Sequence, residues 1–349
     1  MSVRVKNLLG LVALFVAATP LIWYLTGGAG WRWWRNAEVG DFVAEAASSA
    51  YFSPLDGGRV KNKPDRMRQV VAIMIDNHPD ARPESALSQA KIVYEAPVEG
   101  NFTRYMALFD SDQKVAQAGP VRSARLYFLD WVQEYGQPLY MHSGGSPEAL
   151  QQIKQRKILD ADEFTNGQYY WRNDAQVAPH NLYTSSNLWQ ALLTKFGITK
   201  TWDPNNSWKF AQVVGQPFRS TITKEVSLPY AADYIVTWKF DSKKLDYVRY
   251  LNGEQQFDSN GKEIRAFNVL IQFVITKVLD DEGRLQLTTI GKGDARILKK
   301  GQMLVGTWNK KELEGRTRFY TKDGKEALLL PGKTWVEVVP AVLMPQITQ

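Results

Sequence analysis

From Gln69 onward the first half of the chain alternates short apolar runs with polar loops. QVVAIMID, KIVYEAPV, TRYMALFD and PLYMHS are brief and apolar, and each ends in polar or turn residues, the pattern of buried strands. Gly119-Pro120 then opens VRSARLYFLDWVQEYG. Here Val121, Ala124, Phe128, Trp131 and Val132 recur at helical spacing, with proline near the start, where a missing N–H costs nothing. This predicts a helix carrying Arg122 and Arg125 on one face of its first turns. SGGSPEALQQI supplies a glycine turn, a serine cap and proline at the first helical position. Ser186 to Phe196 adds another amphipathic helix. Strands alternating with helices predict an α/β domain, placed over residues 66–209.

Beyond about Leu228 the periodicity changes. YIVTWKF, LDYVRYL, FNVLIQFVIT, RLQLTTI, MLVGTWNK, TRFYTK, EALLL and TWVEVVP are short, β-branched and aromatic. Asn252-Gly253, Asn260-Gly261, Glu282-Gly283, Asp323-Gly324 and Pro331-Gly332 punctuate them. Asn-Gly and Asp-Gly between such runs are the strongest local hairpin signals. An all-β domain, a small barrel or sandwich, is expected over 228–349, joined to the first by a bridge at 210–227.

The N-terminal end has a third texture. Leu8 to Leu25 is almost unbroken apolar sequence, and about 20 such residues cross a bilayer core as a helix. It is longer than a signal-peptide core, and Gly28-Ala29-Gly30 is a poor cleavage site. Arg4 and Lys6 precede it, which sets the N-terminus inside. Trp31, Trp33 and Trp34 follow, interleaved with Arg32 and Arg35, as a collar at headgroup depth. Residues 1–35 therefore read as a transmembrane anchor and 36–65 as a spacer.

Composition sharpens this picture in two places. The net charge is +7, but the four basic residues of the anchor face no acidic ones. Without them 39 basic residues stand against 36 acidic, an ordinary surface with no long basic run, so nucleic acid is not expected as a partner. There is no cysteine, which removes thiol nucleophiles, thiolate ligands and a lipidation site.

Several long phrases are similar to one family. AIMIDNHPDARPESALSQAKIVYEAPVEGNFTRYMALFD, AGPVRSARLYFLDW, HSGGSPEAL and APHNLYTS resemble the YerB-like family of bacterial putative lipoproteins. YIVTWKFD, FNVLIQF, GKGDARILKKGQMLVGTWNK and LLLPGKTWVEVVP do so in the second half. The resemblance covers roughly residues 53–349 and implies N- and C-terminal family domains of unknown function. It implies an extracytoplasmic location, with the apolar helix here replacing a lipidated cysteine.

Candidate chemistry is confined to the first half. The three histidines sit in polar motifs: His78 in IDNHPDARP, His142 in YMHSGGSPEAL and His180 in APHNLYTS. Two arginine forks in GPVRSAR suit a carboxylate or phosphate. Polar residues at the carboxyl ends of strands form the site in many open α/β sheets. The expected ligand-binding set is Asp76, Asn77, His78, Arg82, Arg104, Arg122, Ser123, Arg125, His142, His180, Asn181 and Tyr183. No two histidines show short-range ligand spacing, so neither a metal nor another cofactor is expected. Ser143 before Gly144-Gly145 is the nearest approach to a nucleophile elbow, and it does not match G-x-S-x-G.

These features predict a single-pass protein of the bacterial cytoplasmic membrane with its globular part outside. Its expected role is binding an anionic cell-wall component or a wall-synthesis partner without catalysis. The alternative is an envelope hydrolase or transferase acting on wall glycan or peptide, with Asp76 or Glu99 as acid/base and His180 in support.

Overall fold

The computed structural model describes residues 51–62, 68–198, 206–211, 222–343 and 345–348. The anchor at 1–35, most of the spacer, and residues 212–221 of the bridge lie outside these residues. Among the described residues no helix is long and apolar enough to cross a membrane.

The apolar runs of the first half form β1 (Val70–Ile75), β2 (Ile92–Pro97), β3 (Thr103–Asp110) and β4 (Leu139–His142). A further strand, β5 (Leu159–Asp162), was not legible in the sequence, because LDAD is mostly polar and buries only Ala161. It sits at the sheet's end, where one neighbour suffices. The second half contributes β6 (Glu225–Ala231), β7 (Tyr234–Asp241), β8 (Asp246–Leu251), β9 (Asn268–Val274), β10 (Gly291–Lys299), β11 (Gln302–Lys310), β12 (Arg318–Thr321), β13 (Thr334–Pro340) and β14 (Gln346–Thr348).

The N-terminal part is a mixed sheet with helices and the C-terminal part is all β. The two parts nevertheless share a sheet. Ten strands run in the order β12-β11-β10-β9-β13-β2-β3-β1-β4-β5. β13 lies between β9 and β2, parallel to both. Its first six residues are buried, as are the first five of β2. Such strands are apolar on both faces and need a neighbour on each edge. Most of the remaining strands of the C-terminal part make a second sheet, β8-β7-β6-β14, extended by short pairings of Glu254–Gln255 and Arg265–Ala266 with β8, while Thr276–Val278 and Leu285–Leu287 pair as a hairpin of their own. The C-terminal strands thus build a layer and complete another, rather than closing a barrel of their own.

Alternation along β1 explains the layering. Val71, Ile73 and Ile75 belong to a core with Val226, Leu228, Trp238 and Trp335, under the second sheet. Val70, Ala72 and Met74 face the opposite core with Phe128, Trp131, Ala149 and Ile153. Those residues come from α1 (Leu126–Val132) and α2 (Pro147–Gln155). Ser146 caps α2, accepting from the Ala149 amide at 3.3 Å. α3 (Ser186–Lys195) packs Trp189 against Phe109.

One expectation needs correction. The helix begins at Leu126, not near Pro120, so Arg122 and Arg125 do not share a helical face. Residues 119–125 are tied to backbone on both sides instead. Val121 bridges Ile75, the Arg122 amide donates to Met74 O (3.0 Å) and the Ala124 amide to Gly144 O (2.9 Å). Gly119 sets the path, with φ of +146° and room for no side chain: a Cβ there would lie 2.7 Å from Leu182 O. Gly119→Ala is therefore expected to cost about 1–3 kcal/mol through overpacking and strain. Urea denaturation measures this, and an unchanged midpoint would show that residues 179–184 yield freely.

Candidate functional site: an Asp–His–Arg cluster at the strand ends

β1, β4 and β5 are mutually parallel, and the loops leaving their carboxyl ends gather on one rim of the sheet. The residue after β1 is Asp76, almost fully buried. Its Oδ1 accepts from the amides of Asn77 (2.9 Å) and His78 (3.2 Å). Its Oδ2 lies 2.7 Å from His180 Nδ1 and 2.9 Å from Arg122 Nε. IDNHPDARP, GPVRSAR and APHNLYTS thus meet at one carboxylate. The His78 and His180 rings stack, with centroids 4.5 Å apart and 17° between planes. His78 stays about a third exposed in its side chain, and Arg82 and Arg122 about a quarter.

Below this opening the loop is fixed to the interior. Asn77 donates to Thr103 Oγ1 (2.6 Å) and to the Tyr234 hydroxyl, while Arg82 clasps Asn77 through Oδ1 (3.1 Å) and O (2.8 Å). Thr103 and Tyr234 both donate to Glu95 Oε1, at 2.7 and 3.0 Å. Glu95 receives two bonds from Arg249 Nη2 (2.7 and 2.8 Å), which also reaches the Tyr234 hydroxyl at 3.4 Å, and neither the Glu95 nor the Arg249 side chain is exposed. Tyr234 and Arg249 come from the second sheet, and their local sequence carries no functional signal.

The other arginines behave differently. Arg125 is fully engaged, its Nε and Nη2 on Glu99 (2.7 and 2.9 Å) and its Nη1 on Ala124 O (2.9 Å). Burial pushes the Glu99 carboxyl up, but the bonds and charge of Arg125 outweigh this and hold it below its ordinary range. A carboxylate so held is a poor proton donor. Arg104 is buried, bonds Ser123 O through Nη1 (2.9 Å) and leaves Nε without a partner. Burial, then the charges of Arg125 and Arg122, push it down to about 10. Ser123 takes part through its carbonyl, not its hydroxyl. Near Arg82, burial pushes the Glu84 carboxyl up to about 7. Four guanidinium groups therefore face Asp76, Glu99 and a carboxyl that burial drives toward neutrality.

Three expected residues stand apart from the opening. The His142 ring is enclosed, with Nδ1 on Gly144 O (2.8 Å) and Nε2 on Asp160 (2.9 Å). It fastens the β4 loop to β5. Asn181 accepts from Arg172 (3.0 Å) and donates to Asn173 O and Gln176 O. Tyr183 donates to Gln176 and stacks on Trp171. Both hold the 171–183 loop that presents His180. Polar motifs, YMHSGGSPEAL for His142 and APHNLYTS for the other two, mark all three from sequence, but polarity does not distinguish a residue that fastens a loop from one it presents.

Fold, rim and motifs together define a class. The chain belongs to the family whose members carry the N- and C-terminal domains of the protein of unknown function DUF3048, matched here over residues 57–199 and 226–336. It is 32% identical over 294 residues to the Bacillus subtilis (strain 168) protein named "Putative lipoprotein YerB", a match spanning 82% of this chain and 86% of that one. The crystal structure of YerB from Bacillus subtilis superposes with a TM-score of 0.75 at 29% identity, covering 86% of this chain and all of that one.

Proposed function

We propose that this protein is held at the outer face of the bacterial cytoplasmic membrane and binds an anionic component of the cell wall without catalysis. The single observation that carries the reading is the convergence of Arg122, Arg82, His78 and His180 around Asp76 on an accessible rim. Guanidinium forks recognise carboxylates and phosphates through charge-assisted bonds. Peptide-stem carboxylates and teichoic phosphates are the anions available outside the cell. Two features support the location: the apolar run Leu8–Leu25 with its tryptophan collar, and the lipoprotein name of the Bacillus relative. Because this sequence has no cysteine, the apolar run is the anchor, single-pass with its N-terminus inside.

Full-length protein in detergent, titrated with purified wall fragments, tests the binding. Saturable binding without turnover is expected, weakened about ten- to a hundredfold in Arg122→Ala by loss of a charge-assisted contact. Turnover of the fragments would instead establish the hydrolase or transferase reading. Binding that ignores Arg122→Ala would remove this rim from the account.

A further inference from the structure

The same rim holds a second arrangement that anion recognition does not require. We infer that His78, Asp80 and His180 bind a transition-metal dication of the zinc class, with Asp76 positioning His180. The three side chains come from two loops, and a donor atom from each lies within 4.8 Å of the other two. His78 Nδ1 and Asp80 Oδ2 are 3.4 Å apart. Two ligands on one tetrahedral ion with bonds of about 2.0–2.1 Å stand roughly 3.3 Å apart, so this pair already has the spacing of a shared ion. The third ligand is oriented by its neighbour. Asp76 Oδ2 takes the Nδ1 side of His180 at 2.7 Å, which selects the tautomer with a bare Nε2. A carboxylate behind an imidazole is the usual second partner of a metal-bound histidine, fixing the ring and raising its basicity. Asp76 is itself immobilised by the Asn77 and His78 amides.

His142 provides the internal contrast. Both of its nitrogens are occupied and its ring is shut away, as befits a structural histidine. The bonds described for His78 and His180 use only Nδ1, and each ring reaches solvent. Ligation through His78 Nδ1 would give up the 3.3 Å contact from the Asp80 amide at the start of a three-residue 3-10 turn, and also the stack on His180, because rings 17° from parallel with centroids 4.5 Å apart cannot both hold one ion in their planes and His78 must turn toward it. The amide bond is long and partly exposed, so little is lost with it. Two imidazoles with one carboxylate favour zinc, cobalt or nickel over calcium or magnesium, which prefer oxygen alone. Three protein ligands leave a coordination position for water or an incoming anion. The ion site rests on these side chains alone, so it stands or falls independently of wall binding.

The test is titration of metal-stripped full-length protein in detergent with Co²⁺, read by its visible absorption, and with Zn²⁺ by calorimetry and Co²⁺ displacement. One equivalent is expected to bind. His78→Ala and His180→Ala should each weaken it about a hundredfold or more, and Asp76→Asn about ten- to a hundredfold through the second shell. Asp80→Asn is isosteric and changes a side chain that is mostly exposed, so the fold is expected to survive it and it keeps the test decisive if the histidine variants are unstable; about a tenfold loss is expected. Absence of a one-equivalent site in the wild type overturns the inference. So does Co²⁺ binding that survives both Asp80→Asn and either histidine change.

Discussion

Arg249→Met is expected to destabilise the protein by about 3–5 kcal/mol, because it strands the Glu95 carboxylate in the interior without its countercharge. The reason lies in the burial of the pair. Neither Arg249 nor Glu95 is exposed at all, and the two shortest bonds from Arg249 Nη2 land on one carboxylate, at 2.7 and 2.8 Å. Arg249 also donates to Gln256, and its guanidinium lies 5.3 Å from the centre of the Trp335 ring. Removing one partner of such a pair leaves the full desolvation cost of the other. Removing both is a different matter. Arg249→Met combined with Glu95→Leu should recover only part of the loss, since it removes the stranded charge but leaves the buried donors of Thr103, Tyr234 and Trp335 without their acceptor. Denaturant unfolding of wild type, single and double variants measures this, and a single variant within 1 kcal/mol of wild type would refute it. Glu95 also anchors Thr103 and Tyr234, which hold Asn77, so the single variant should loosen the rim as well.

The second large effect is on pH dependence. Glu337 faces Glu95 across the parallel pairing of β13 with β2, and one arginine serves both. Burial and then the Glu95 charge push the Glu337 carboxyl up to about 8, against the opposing pull of Arg249 and bonds from Trp238 Nε1 (2.7 Å) and the Tyr230 hydroxyl (2.8 Å). A raised folded-state value means the native protein holds this proton after the unfolded chain has released it. The contribution to stability is complete below about 4.5 and is lost as pH rises from there through about 8. One such group gives a slope of at most about 1.4 kcal/mol per pH unit. Glu84 and Asp110, raised by burial to about 7 and about 6, act in the same direction. Lys333, pushed down by burial to about 7, acts oppositely above that pH. The difference between wild type and Glu337→Gln isolates the one carboxyl. The variant should lose much of the decline between pH 5 and 8 and be the more stable of the two at pH 8. Equal slopes in urea unfolding across that range would show that Glu337 is ionised in the folded protein.

Much of the rim was legible because it is local. IDNHPDARP, GPVRSAR and APHNLYTS are dense in polar side chains, and a strand end that buries Asp76 must supply it with partners. Asp80 stands among the polar residues of the first motif, but His78 and His180 are far apart along the chain, so no ligand spacing sets it apart from its neighbours. Two readings of Arg122 and Arg125 stand open in the sequence, an external anion or an internal acid such as Asp76, Glu95 or Glu99. A charged side chain in a motif looks equally available either way until its neighbours are placed, and the fold puts Arg125 on Glu99 from a different loop.

By itself the sequence determined the elements and their faces. Period-2 and period-3.6 apolar patterns act over a few residues, and they placed β1 to β4, α2 and α3 and most of the C-terminal strands. Turn chemistry at pairs such as Asn252-Gly253 is equally short-ranged. Only the tertiary structure decided that β13 enters between β9 and β2, that one sheet runs through both halves, and that Arg249 is the countercharge beneath the rim. Those outcomes depend on which buried edges and charges find each other across more than a hundred residues, and no local pattern encodes that pairing energy.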